Sequence, residues 1–341
     1  MPLRQPVLHL AAPRGFCAGV DRAIDVVEMA LQVHGPPVYV RHEIVHNRHV
    51  VEDLRAKGAV FTDDLASVPR GAVVIFSAHG VSPAVRAEAA ERGLNALDAT
   101  CPLVTKVHLE ALRHARRGFS IVLVGHRNHV EVQGVQSEAP DSIVIVEDVA
   151  EAEALVLPDP GKVAYITQTT LSVDDCRAIV ATLKRRFPAI HEPVKDDICY
   201  ATQNRQNAVK ELARRCGTVL VVGAPTSSNA NRLVEVAQNL AVRAHLIESA
   251  GDILPEWLEP GADVGVTAGA STPESIVQSC VTRLQELGGY RVEPFRLTEE
   301  RVMFPLPAEL LSAARVKGLD VGAGNERAAD RAAGESGVRR T

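Results

Sequence analysis

The stretch VVIFSAHGVSPAVRAEAA (73–90) reads as a short β-branched run, a turn of small and polar residues, and then an amphipathic helix. The same order recurs at SIVLVGHRNHVEVQG (120–134), KVAYITQTTLSVDDCRAIV (162–180), TVLVVGAPTSSNANRLVEV (218–236) and DVGVTAGASTPESIVQSCV (263–281). Strands alternating with helices predict an α/β fold with mainly parallel sheets. In such sheets the turns beyond the carboxyl ends of the strands form the ligand crevice. The polar residues of those turns are therefore the first candidates for function.

Three segments carry a cysteine at a comparable place: GFCAGVDRA with Cys17, DATCPLVTKVH with Cys101 and DDICYATQNRQ with Cys199. They stand roughly 85 to 100 residues apart, the size of one small α/β unit. The expected organisation is three similar modules around a central site: 1–100 with Cys17, 101–196 with Cys101 and 197–312 with Cys199. The second boundary falls in the FPAIHEPVKDD linker (187–197). From about Ala313 large apolar residues give way to Gly, Ala and charges, so 313–341 is expected to be a mobile tail.

The bulk properties suit a globular enzyme: 341 residues, 46% hydrophobic and 23% charged. A net charge of -5 and only 4% aromatic residues give no basic field or stacking platform for nucleic acid. No leader-like segment and no apolar run of membrane-spanning length is present, which predicts a cytoplasmic protein without a membrane partner. Six scattered cysteines without a C-x-x-C pair fit neither a disulfide scaffold nor a thioredoxin site.

Cys17 lies between Gly15 and Gly19, where a strand gives way to a helix with Val20, Ile24, Val27 and Leu31 on one face. Helix-start amides and nearby glycines suit a reactive or metal-bound sulfur. Cys176 and Cys280 lie within helical patterns and Cys216 at a helix end, as packing residues. Three converging thiolates suit zinc, with a fourth ligand or a water. They equally suit an iron–sulfur cluster with one iron left open. Spacing alone does not separate the two.

Among the histidines, His79 and His129 directly follow strands, and HEIVH (42–46) has the spacing of a zinc-protease helix in a strand–turn setting that cannot supply its geometry. Glu131 is two residues beyond His129; in an extended segment both point to one side, and a carboxyl there can deliver a proton. The turns TQTT (167–170), SSNAN (227–231) and GAST (269–272) offer hydroxyls and amides for a diphosphate. Helix capping competes for them: Ser172-x-x-Asp175, Ser271-x-x-Glu274 and Thr272-Pro273 all fit caps. No G-x-x-x-x-G-K-[ST] loop is present.

In order, PRGFCAGVDRAI, HEIVHN, SAHGVS, DATCPLVTKVH, TQTTLSVDD, DDICYAT, SSNANRL and VTAGAS resemble the 4-hydroxy-3-methylbut-2-enyl diphosphate reductase family over roughly residues 7–305. The resemblance implies a reductive dehydroxylation of that allylic diphosphate to isopentenyl and dimethylallyl diphosphates, the last step of the methylerythritol phosphate route. It implies one [4Fe–4S] cluster on Cys17, Cys101 and Cys199, and electrons from a ferredoxin or flavodoxin. His46, His79 and His129 match the substrate-pocket histidines, expected to add charge as needed. Glu131 matches the proton donor, with Thr169 beside it. Ser227, Ser228, Asn229 and Ser271 match the diphosphate-binding residues. Val130 departs from the proline of some members. A non-catalytic iron–sulfur sensor and a zinc hydrolase are the alternatives.

Overall fold

The computed structural model describes residues 4–320. The chain begins with β1 (Val7–Ala12) and α1 (Ala18–His34), then lays down β2 (Val38–Arg41), α2 (Arg48–Ala56), β3 (Ala59–Thr62), β4 (Val73–Phe76), α3 (Pro83–Glu91) and β5 (Asn95–Asp98). Next come α4 (Pro102–Arg116), β6 (Ser120–Val124), α5 (Val130–Gln136), β7 (Ile143–Val146), α6 (Val149–Ala154), β8 (Val163–Thr167) and α7 (Val173–Arg186). It finishes with α8 (Tyr200–Ala213), β9 (Thr218–Val222), α9 (Ser228–Asn239), β10 (Arg243–Ile247), β11 (Val264–Ala268), α10 (Glu274–Gly288), β12 (Arg291–Arg296) and α11 (Ala308–Val316). All five strand–turn–helix readings of the sequence correspond to β4–α3, β6–α5, β8–α7, β9–α9 and β11–α10.

These strands form three sheets in the orders β3-β2-β4-β5, β7-β6-β8 and β10-β9-β11-β1-β12, and every pairing is parallel. Parallel sheets carry helices on both faces, so their strands are apolar at successive positions. In β6 the side chains alternate between two cores: Ile121 and Leu123 join one, Val122 and Val124 the other. Val219 and Val221 of β9 are likewise divided from Leu220 and Val222. On the first sheet, α1 lays Val20, Ile24 and Val27 against Val38, Val40 and Ile75, as its periodicity predicts.

Two expectations of organisation are corrected. β1 does not join the first sheet: it lies between β11 and β12, with Leu8 level with Val264 and with Val292. The chain thus opens in its third sheet and crosses to the first through α1, because a strand buried on both sides must sit where two neighbours await it. The mobile tail does not begin at residue 313 either. α11 runs through it, with Leu310 and Ala314 fully buried against the α1 core and Leu319 packed on its margin. The rest of the expected tail, 321–341, lies outside the described residues.

A candidate active site where three sheets meet

One relationship is repeated three times. Cys17, Cys101 and Cys199 each occupy the N-cap position of a helix: α1, α4 and α8. The backbone N–H of each donates to a carbonyl in a neighbouring strand's turn: Cys17 to Ala270 at 3.2 Å, Cys101 to Ala78 at 3.0 Å, Cys199 to Thr169 at 3.0 Å. Each of those turns carries a candidate substrate residue, Ser271, His79 and Thr169. The strand ends of all three sheets therefore place three sulfurs and three polar turns around one cleft of about 790 Å³, its opening to solvent included.

Every candidate named from the sequence lines this cleft: the three cysteines, His46, His79, His129, Glu131, Thr169, Ser227, Ser228, Asn229 and Ser271. Cys176 and Cys280 are buried core residues, and Cys216 is buried after α8. The sulfurs approach the backbone at Gly19, where a methyl group would stand 2.6 Å from the Cys101 sulfur and 3.9 Å from that of Cys17. Glycine is required there for the sulfurs to close in. Burial pushes all three thiols up, Cys101 to about 12 and Cys199 to about 11, and the Cys17 sulfur adds to both. Thr202 offsets this at Cys199, with its N–H 3.4 Å and its hydroxyl 3.2 Å from the sulfur. Buried soft donors that resist ionising next to one another fit a cationic centre, which would let them act as thiolates.

Three soft thiols, drawn together where Gly19 leaves the backbone open to them, are the kind of donor set an iron–sulfur cluster takes, so these residues fit that group.

His46 and His79 stack with ring centroids 4.1 Å apart, and His129 stands edge-on to them at 5.9 and 6.2 Å. Burial, then the adjacent imidazoles, pushes His129 down to about 4 and His79 well below its usual value. Burial also lowers His46, against its Glu43 partner at 3.2 Å. Burial of each ring among the others disfavours its charged form, which runs against the expectation that these histidines add charge. The remaining histidines turn elsewhere, His42 to Asp63 at 2.9 Å and His126 to Arg232 at 2.6 Å.

The segment after β6 is not extended, as the shared-side argument for His129 and Glu131 required. His129 caps α5, its Nδ1 accepting from the Glu131 N–H at 3.2 Å, and Glu131 lies in the first helical turn. That bond fixes the tautomer, leaving Nε2 as the donor. Glu131 is 2% exposed and faces Thr169, whose N–H and hydroxyl donate to its two oxygens at 2.7 and 2.8 Å. Burial still outweighs those bonds and pushes the carboxyl up to about 7.

On the opposite wall Ser227 caps α9, accepting from Ala230 N–H at 3.4 Å, and the Ser228 hydroxyl meets that of Thr170 at 3.0 Å. Asn229 donates to Thr202 at 3.2 Å and accepts from Ala270 N–H at 2.9 Å. Ser172 does cap α7. Ser271 and Thr272 do not cap α10: their hydroxyls donate to the carbonyls of His46 and Val222 at 3.0 and 2.9 Å. Sequence reasoning did not single out Tyr200, Thr202 or Phe304, which also line the cleft with Thr170 of the TQTT turn. Thr202 had a signal, three residues into a helix begun by Cys199; Phe304 had none.

Fold and site together define a three-sheet α/β protein with a three-thiol centre beside a cleft lined by imidazoles, hydroxyls and a buried carboxyl. The family described as LytB protein matches residues 8–285, and the chain belongs to it. It is 60% identical to the 4-hydroxy-3-methylbut-2-enyl diphosphate reductase of Bordetella pertussis over 88% of this chain and 93% of that one. To the protein of that name from Ralstonia nicotianae it is 56% identical over the same shares. The E-1-hydroxy-2-methyl-but-2-enyl-4-diphosphate reductase structure from Plasmodium falciparum superposes with a TM-score of 0.90 at 42% identity, covering 92% of this chain and 99% of that one.

Proposed function

We propose that the protein is a 4-hydroxy-3-methylbut-2-enyl diphosphate reductase, which removes the allylic hydroxyl reductively to give isopentenyl and dimethylallyl diphosphates, the terminal step of the non-mevalonate route. The observation that supports it most strongly is the meeting of three thiols, a buried carboxyl and a hydroxyl-rich helix start in a single cleft. Cys17, Cys101 and Cys199 would hold a [4Fe–4S] cluster, leaving one iron without a cysteine. When bound, that group supplies single electrons and a Lewis acid for a poor leaving group.

The chain's own residues do the rest. Ser227, Ser228, Asn229 and Ser271 hold the diphosphate through hydroxyls, an amide and the N-terminus of α9, where anions are favoured. His129 donates from Nε2 to the substrate, and the stacked His46 and His79 shape the wall beside it. Glu131, protonated up to about pH 7, carries the proton that lets the hydroxyl depart as water. Thr169 passes it or orients it through the hydroxyl 2.8 Å away. The electrons come from a ferredoxin- or flavodoxin-type carrier. A reducing cytoplasmic setting suits the six cysteines, all free. Among the described residues no helix is long and apolar enough to cross a membrane.

Anaerobic turnover of the allylic diphosphate with an artificial reductant tests the reading. Formation of both isoprenoid diphosphates by iron-loaded protein supports it. Redox cycling of a cluster without product would favour the sensor instead, and full activity with zinc alone the hydrolase.

A further inference from the structure

Arg205 of α8 and Glu300 form an ion pair whose side chains are 0% and 1% exposed. A pair buried this deeply is seldom a stability device, because removing both charges from water offsets their attraction. Its bonds point to another use. Nη2 of Arg205 donates to the carbonyls of Gly15 at 2.8 Å and Phe16 at 3.4 Å, the two residues before Cys17. Nη1 donates to Ala201 at 2.9 Å, two residues after Cys199, and to Glu300 at 3.0 Å. One planar fork thus ties the turn that carries one sulfur to the helix that carries another. Glu300 neutralises the fork and takes a further bond from Asn204 at 3.0 Å. It belongs to the segment after β12, which also brings Phe304 to the cleft and is held by Arg22 at the Pro305 carbonyl, 2.8 Å away. Glu300 lies beyond the residues that the family description spans.

We propose that Arg205 is a positioning residue for the three-thiol centre, that its fork sets the spacing of the Cys17 and Cys199 sulfurs, and that Glu300 cancels its charge so that a bound cluster stays hard to reduce. This rests on the cluster reading above. The fork geometry is the part a lysine cannot reproduce. The charge balance is separable from it, because an uncompensated cation beside Cys17 favours the reduced, more negative form of anything bound there.

The test compares the full-length wild type with Glu300→Gln, Arg205→Lys and the double variant Arg205→Gln/Glu300→Gln, all purified anaerobically without substrate. Iron and sulfide content, the rate of iron release to a chelator and the reduction midpoint are measured, with circular dichroism as the check on folding. Glu300→Gln should shift the midpoint in the positive direction. Arg205→Lys and the double variant should release iron several-fold faster, and the double variant, with no net change of charge, should keep a midpoint close to wild type. Release rates and midpoints like those of the wild type in every variant that folds would overturn the proposal. So would failure of all three to fold, which would make the pair a requirement of the fold alone. A wild type without iron and sulfide would instead defeat the cluster reading.

Discussion

Both carboxyl oxygens of Glu131 are engaged by a single residue, Thr169, through its N–H at 2.7 Å and its hydroxyl at 2.8 Å. The pair is aimed into the cleft and belongs to two different strand turns of one sheet. Glu131→Gln keeps the shape and loses the proton, so kcat should fall by about 10²–10⁴. Thr169→Val loses one hydrogen bond to a neutral carboxyl, about 0.5–1.5 kcal/mol, so kcat should fall roughly two- to tenfold. Iron content should be unchanged in both. Steady-state kinetics beside iron analysis checks this, and near-normal turnover of Glu131→Gln would remove its role.

The pH profile follows from the same carboxyl. Burial raises Glu131 to about 7, so it carries its proton below that pH and loses it above. kcat/KM, which reports the free enzyme, should therefore be greatest on the acid side and decline as pH rises through about 7. His129, near 4, stays neutral over this range and contributes no limb there. A kcat/KM profile that is flat from about pH 5.5 to pH 8.5, roughly a unit and a half either side of the shifted carboxyl, would contradict the assignment.

Gly19→Ala tests how closely the sulfurs are gathered. The added methyl would lie 2.6 Å from the Cys101 sulfur, so that sulfur must turn away from its place in the cleft. Iron and sulfide content should drop sharply in protein that circular dichroism shows to be folded. Full cluster content in this variant would mean that the sulfurs are not gathered where the cleft places them.

Ser271 and Asn229 should divide by what they touch. The Ser271 hydroxyl donates to the His46 carbonyl at 3.0 Å, so Ser271→Ala should raise KM several-fold, the worth of about one hydrogen bond, with iron content intact. Asn229 also reaches Thr202, the residue that holds the Cys199 sulfur. Asn229→Ala should raise KM and speed iron release together. Substrate titrations and chelator challenge on the same preparations distinguish them.

The repeating strand–turn–helix rhythm was legible because parallel strands buried on both faces leave short β-branched runs with no polar interruption. The three cysteines were legible for a related reason: each stands at a helix start, a position that composition cannot hide. What failed depended on contacts between distant segments. Ser271 has a sequence pattern fit for a cap, but the His46 carbonyl comes from another module. His129 and Glu131 looked extended, and a ring nitrogen capping its own helix changed the geometry while keeping both in the cleft. The place of β1 in the third sheet is set by neighbours more than two hundred residues away. Arg205 carried no signal at all, since a buried arginine and an exposed one are the same letter in a polar helix.

Metal and sulfide analysis of the anaerobically purified wild type beside Cys17→Ser, Cys101→Ser and Cys199→Ser tests the shared centre most directly. The wild type should hold about four iron and four sulfide per chain, and each single substitution should abolish stable retention of both. Stoichiometric zinc without sulfide in the wild type, or full iron and sulfide in any one of the three variants, would contradict a common cluster held by these sulfurs.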